Sequence, residues 1–498
     1  MKKLMSKKVV AAVTAAAMTM SLAACGGAEP AAPAAPAEPA PAATETKEEA
    51  PKAEEVKEEA PVEEEEVSPY TVITDDSGNP VDLGGMEVII RDWWSGDPAD
   101  PTPGYQEAQK EYRDWAQETY NFKISQKAIS DWGSTPADFV DYCTTGGDDV
   151  NYVWTLRDDP AITSAMAQGL MYDLSTLDCL DFSSDKFTAN KLHEQYSKGG
   201  KIYAMYAGPS EPRTGVYFNK KVLQDAGIDP ESLYDMQADG TWTWDKFDEL
   251  MGKCQRDTDN DGADDVFGLT VNEGNMTTAA IFSNGGSYIG KDSNGYTYNL
   301  ESAETLEALE WTVEMFTKYD QHDPEGAEWD YYKEEFLNGS VAFMVDDEYC
   351  GCPGNFLDDM KDPIGFVMFP KGPKGKDYIN VWSNNPCAIP ACYDDDRAWK
   401  IAFAWNQYTM DPPGYEGSID ALIENASNGK LGEDDRALEE TIPMMTESSH
   451  GTIAYHGMIP DLNLGPDFVW GIGPNSVVSE AVEAIRDTWK SYVDAANK

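Results

Sequence analysis

The run Asp257-Thr258-Asp259-Asn260-Asp261-Gly262-Ala263-Asp264-Asp265 sets carboxylates at alternate positions and a glycine where such a loop must turn sharply. That order converges hard oxygen donors on one point, which is the chemistry of Ca²⁺ rather than of zinc. We read Asp257, Asp259, Asp261, the Ala263 carbonyl and Asp265 as a structural calcium site following a helix from Trp244 to Cys254. Gly268 stands where a calcium-sensing helix–loop–helix carries a bidentate Glu, so weaker binding and no sensor geometry are expected. The alternative is a solvated acidic turn.

Catalytic chemistry is harder to find. The four histidines, His193, His322, His450 and His456, form no His-Glu-x-x-His and no pair at ligand spacing on one helix face. There is no nucleophile elbow, phosphate loop or dinucleotide fingerprint. With 90 acidic residues, any carboxylate spacing arises by chance, so a glycosidase pair carries no signal. Cys350-Gly351-Cys352 lacks redox and zinc-site spacing, and free thiols are expected. We therefore expect a binding protein rather than an enzyme, without an organic cofactor. The chain does hold 14 Trp and 25 Tyr. Aromatic faces bordered by charged or amide groups suit sugars, whose C–H faces are flanked by hydroxyls.

The elements that must position these groups occupy only part of 498 residues. That length exceeds what one core supports, so at least two lobes are expected. A net charge of -53 repels phosphate backbones, which argues against nucleic acid as a partner. A mean hydropathy of -0.52 excludes a polytopic membrane protein. Residues 1–24 combine Lys2, Lys3, Lys7 and Lys8 with an uncharged stretch from Val9 to Ala24, the pattern of a signal peptide. Leu22-Ala23-Ala24-Cys25 resembles the bacterial lipobox, implying that Cys25 carries diacylglyceryl and palmitate groups. Residues 28–67, with thirteen Glu, three Lys, many Ala and Pro and no aromatic, read as a disordered stalk. Residues 25–67 together would hold an exported chain off the outer face of a bacterial cell membrane.

Beyond the stalk, strands and helices alternate. Val88–Ile90, Phe122–Ile124 and Val150–Trp154 read as strands, with helices over Glu107–Tyr120 and Pro160–Gly169. Amphipathic helices are also expected over Ser302–Lys318 and Ser479–Ala496. This βαβ order points to an α/β fold with parallel strands.

Four blocks then carry a resemblance. They are Thr214-Gly215-Val216-Tyr217-Phe218-Asn219-Lys220, Thr241-Trp242-Thr243-Trp244-Asp245-Lys246-Phe247, Phe336-Leu337-Asn338-Gly339-Ser340-Val341-Ala342-Phe343-Met344, and Phe369-Pro370-Lys371-Gly372. In this order they resemble the extracellular solute-binding proteins of carbohydrate ABC importers, the family that includes maltodextrin-binding protein. Asn121–Tyr142 shows no close match.

The resemblance implies a two-lobed periplasmic-binding-protein-like fold of type II, with hinge crossings and a central ligand cleft. It implies lobe 1 over 68–208 and 345–408, and lobe 2 over 209–344 and 409–498, with crossings near 207–213, 344–346 and 406–410. It places Trp94, Asp97, Trp154, Arg157, Tyr349, Trp382 and Trp470 in the cleft, with core packing the alternative for each Trp. Of the adjacent Trp93 and Trp94, one is expected to face the core and the other the cleft. The expected role is capture of a carbohydrate, an oligosaccharide by preference, and delivery to permease subunits. The alternatives are a secreted polysaccharide-processing enzyme, or the same fold binding a non-sugar solute.

Overall fold

The structure is a computed structural model that describes residues 69–94, 101, 103–320, 328–417 and 419–498. Asp97, Cys25, the signal peptide and the stalk lie outside the described residues. Among the described residues no helix is long and apolar enough to cross a membrane.

The chain opens with β1 (Met86–Asp92), α1 (Tyr105–Thr119), β2 (Phe122–Ala128), α2 (Thr135–Thr144), β3 (Asn151–Thr155) and α3 (Pro160–Ala167). Asp159 starts α3 by accepting from the Ala161 amide, Pro160 supplies a preset φ, and Gly169 beyond its end takes a φ of 73°. Next come β4 (Thr214–Asn219), α4 (Trp244–Cys254), β5 (Phe267–Val271), α5 (Glu273–Ser283) and the hairpin β6 (Ile289–Asp292) and β7 (Gly295–Tyr298). They are followed by α6 (Ala303–Tyr319), β8 (Val341–Asp347), β9 (Ile364–Met368), β10 (Asn380–Trp382), β11 (Cys387–Ala388), α7 (Asp395–Tyr408), β12 (Gly451–Ile453) and α8 (Val478–Ala496).

Two four-stranded sheets result. The first has the order β11-β3-β1-β2, with β1 parallel to both β2 and β3 and β11 antiparallel to β3. The second has the order β9-β4-β8-β5, with β4 antiparallel to β8 and β9 and β5 parallel to β8. Each sheet has its own core. Val88, Ile90, Tyr120, Phe122 and Phe403 belong to the first, and Phe218, Trp242, Phe247, Phe343 and Phe366 to the second. The α/β fold of two lobes is as expected.

The lobe boundaries need correction. β9 pairs with β4 from Ile364↔Asn219 to Met368↔Gly215, so the segment after residue 345 remains in the second lobe. Met344–Asp346, expected as a crossing, is the middle of β8, buried between β4 and β5. The chain returns to the first sheet only near residue 384, where β11 joins β3. Residues 406–408 end α7, which packs on the first sheet, so the last crossing starts after Tyr408. Strand pairing with β4, distant in sequence, decided this against a boundary set by motif order alone.

Two crossings run side by side. The Asn380 carboxamide accepts from the Arg213 amide at 3.1 Å and donates to the Glu211 carbonyl at 3.2 Å. Asn384 accepts from the Glu211 amide and donates to Ser210 Oγ at 2.9 Å.

Candidate functional site

Because β1, β2 and β3 are parallel, the loops after their carboxyl ends share one sheet edge. Asp92 ends β1. It is 1% exposed, accepts from the Trp93 amide at 2.7 Å and from Gln126 at 2.8 Å, and burial pushes its carboxyl up to about 6. It shapes the turn that presents Trp94, 41% exposed, with the Trp93 ring 5.0 Å away. After β2 comes Trp132, 56% exposed. After β3 come Arg157, Asp158 and Asp159. Arg157 Nε donates to the Trp132 carbonyl at 3.0 Å, and its guanidinium pairs with Asp159 at 2.7 Å.

The second sheet offers a matching edge, made by the carboxyl ends of β5, β8 and β9 and the amino end of β4. Tyr349 follows β8 and is half exposed. Trp470, 69% exposed, lies in the turn Val469–Gly471 against Gly465, whose missing side chain makes room for its indole. Between the edges, Arg213 on the first crossing pairs with Glu211 at 2.7 Å and donates to the Ser383 carbonyl on the second. Burial pushes Asp347 up to about 6 and Glu348 up to about 7, despite the nearby Arg213. Asp346, 1% exposed, accepts from Tyr332 and Asn275 at 2.9 and 2.8 Å. The arrangement offers exposed aromatic faces on both edges and hydrogen-bonding groups at the hinge.

The structure therefore brings Trp94 and Arg157 to one edge and Tyr349 and Trp470 to the other. Two expected platforms are not free. Trp154 is fully buried among Phe139, Tyr142 and Tyr152, with the Arg91 guanidinium 4.1 Å from its ring centre. Both faces of β3 are covered, so alternation along the strand leaves no cleft-facing side. Trp382 is 8% exposed and lies flat on Gly451 of the neighbouring β12, which packs it into the crossing. Trp132, Asp158, Glu211 and Arg213 were not foreseen. The only signal for Trp132 was its place just past a strand's carboxyl end.

The acidic loop lies elsewhere, between α4 and β5. Carboxylate oxygens of Asp257, Asp259 and Asp265 come within 4.8 Å of one another. The Asp261 carboxylate instead accepts from the Ala263 amide at 2.9 Å and stands outside that group. Asp257 accepts from the Gly262 and Asn260 amides, which hold its carboxyl below the usual range. Two exposed carboxylates and the half-buried Asp257 thus set three hard-oxygen donors within reach of one cation. All seven described cysteines are free.

Two α/β lobes joined by side-by-side crossings, with exposed aromatic residues in the loops at their sheet edges, make up the fold. Residues 185–405, from before the first crossing through most of α7, match the family model described as bacterial extracellular solute-binding protein. No curated protein matches the sequence. Among solved structures it is similar to UgpB from Mycobacterium tuberculosis in complex with glycerophosphocholine, with 18% identity, a TM-score of 0.56, and 83% of this chain and 99% of that one covered. It is also similar to the cyclic α-maltosyl-1,6-maltose binding protein from Arthrobacter globiformis, with 15% identity, a TM-score of 0.57, and 83% and 100% covered. The GacH receptor of Streptomyces glaucescens, whose structures include a complex with acarbose, shares 13% identity at a TM-score of 0.54, with 82% and 99% covered. At these identities the likeness is one of fold.

Proposed function

We propose that this protein captures a carbohydrate outside the cell and delivers it to the permease of an ABC importer. The observation that carries the reading is the set of exposed aromatic residues in the loops at the two sheet edges: Trp94 and Trp132 on one, Tyr349 and Trp470 on the other. Large aromatics left in water are platforms on which sugar faces can stack. The family match and the sugar-binding neighbours support the same reading, and binding rather than catalysis with it. A calorimetric and thermal-shift survey of mono- and oligosaccharides tests it. Absence of binding across the panel defeats it, and a rise in reducing ends would favour a processing enzyme.

A second reading has its own support. Glu211, Asp347 and Glu348 lie around Arg213, and the UgpB neighbour holds a choline-bearing solute. Aromatics beside carboxylates also suit an organic cation, so glycerophosphocholine belongs in the panel.

Two further parts of the proposal concern attachment and metal. Cys25 is the residue for lipid anchoring at the outer face of the membrane, and Cys25→Ser should release the protein into the medium. Asp257, Asp259 and Asp265 are the ligands for a structural Ca²⁺ that ties α4 to β5.

A further inference from the structure

The lobes also meet directly, at a contact made by none of the crossings. The turn Tyr455–Met458 belongs to the second lobe, for the chain leaves it through Ile459 and Leu462 of that lobe's core. Yet Met458, 3% exposed, packs in the cluster that holds Leu156 and Ile162 of the first lobe, and Tyr455 borders the same cluster. The Gly457 carbonyl accepts a hydrogen bond from Thr163 Oγ1 in α3. Gly457 itself lies against the Asp158 carboxylate, and any Cβ there would overlap it. The need for glycine is therefore one of close approach rather than of backbone conformation. Asp158 also accepts from the Tyr196 hydroxyl at 3.2 Å, fixing the carboxylate that Gly457 meets. Behind the turn, Tyr296 of β7 lies 6.2 Å from the Tyr455 ring and Lys291 of β6 lies 5.3 Å from its centre. The β6–β7 hairpin thus braces the turn.

We propose that Tyr455–Met458 is a latch holding the lobes together, with Gly457 and Thr163 as positioning residues for closure. It rests on the solute-binding reading only for its consequence, since the contact is made entirely by residues of this chain. A solute bound between lobes is held by the closed form, and apparent affinity scales with the population of that form. The latch therefore sets affinity and residence time through a contact that the solute need not touch.

The test compares the full chain with Gly457→Val and Thr163→Val by small-angle scattering and hydrogen exchange, first without any solute. Gly457→Val is expected to increase the radius of gyration and to speed exchange at residues 158–163 and 455–458. Thr163→Val, which keeps side-chain shape, should do the same to a smaller extent. For any glycan that binds the wild type, Gly457→Val should raise Kd about five- to tenfold, mainly through faster dissociation, as loss of one buried hydrogen bond and its packing implies. Unchanged scattering and exchange in both variants would overturn the latch. If Gly457→Val fails to melt cooperatively, Thr163→Val alone decides, and wild-type exchange in it overturns the proposal. A panel in which nothing binds defeats the carbohydrate reading while leaving the scattering comparison intact.

Discussion

The Arg157 guanidinium lies 4.5 Å from the centre of the Trp132 ring while its Nε holds the Trp132 carbonyl. One side chain thus joins the loop after β2 to the loop after β3 and fixes an exposed indole in a single orientation. Such a cation–π contact contributes about 0.5–1 kcal/mol at an exposed site. Its larger effect is to present the free face of Trp132 already ordered, so that less freedom is lost when a ligand stacks on it.

If the two edges form the binding site, Trp132→Ala and Trp470→Ala should each weaken glycan binding by about 1–3 kcal/mol. Tyr349→Ala should behave alike. Melting temperatures should stay near that of the wild type, because Trp132 and Trp470 are mostly exposed and Tyr349 is half exposed. Calorimetry beside a thermal melt separates the two effects, and wild-type affinity in all three variants would falsify this location.

Trp154→Ala should do the reverse. Removing a fully buried indole leaves a cavity and costs about 3–5 kcal/mol of stability. Chemical denaturation should show a lower midpoint, with affinity per folded molecule retained. An unchanged midpoint is incompatible with its packing against Phe139.

Stability should fall as pH rises through neutrality. Burial raises Glu348 from 4.5 to about 7, so the folded state favours the protonated form. Its contribution is complete below pH 4.5 and is lost as pH rises through about 7. At about 1.4 kcal/mol per pH unit this amounts to roughly 3 kcal/mol. Melting temperatures measured from pH 5 to 8 should decline, and the decline should flatten in Glu348→Gln. An equal slope in that variant assigns the pH dependence to other groups.

Calcium should raise the melting temperature of EDTA-treated protein, through binding to the folded state alone. Asp257→Ala combined with Asp259→Ala should abolish the rise. Identical midpoints with EDTA and with calcium, or the same rise in the double variant, dispose of the site.

The sequence by itself determined the α/β class, because alternation of short apolar runs with helical periods is a local signal, while length gave the expectation of at least two lobes and the resemblance of four blocks implied their type. That resemblance also singled out Tyr349, Trp470, Trp94 and Arg157, which the structure sets in loops at the two sheet edges. The acidic loop was equally legible, since Asp257, Asp259 and Asp265 are close in the chain. Only tertiary structure decided that Trp154 is core: period two says which residues share a face of β3, not whether that face is covered. The return crossing was likewise hidden, because it depends on β9 choosing β4 as its partner across more than a hundred residues. The meeting of Gly457 with Asp158 belongs to the same class, a proximity created by the packing of two lobes and encoded in neither segment alone.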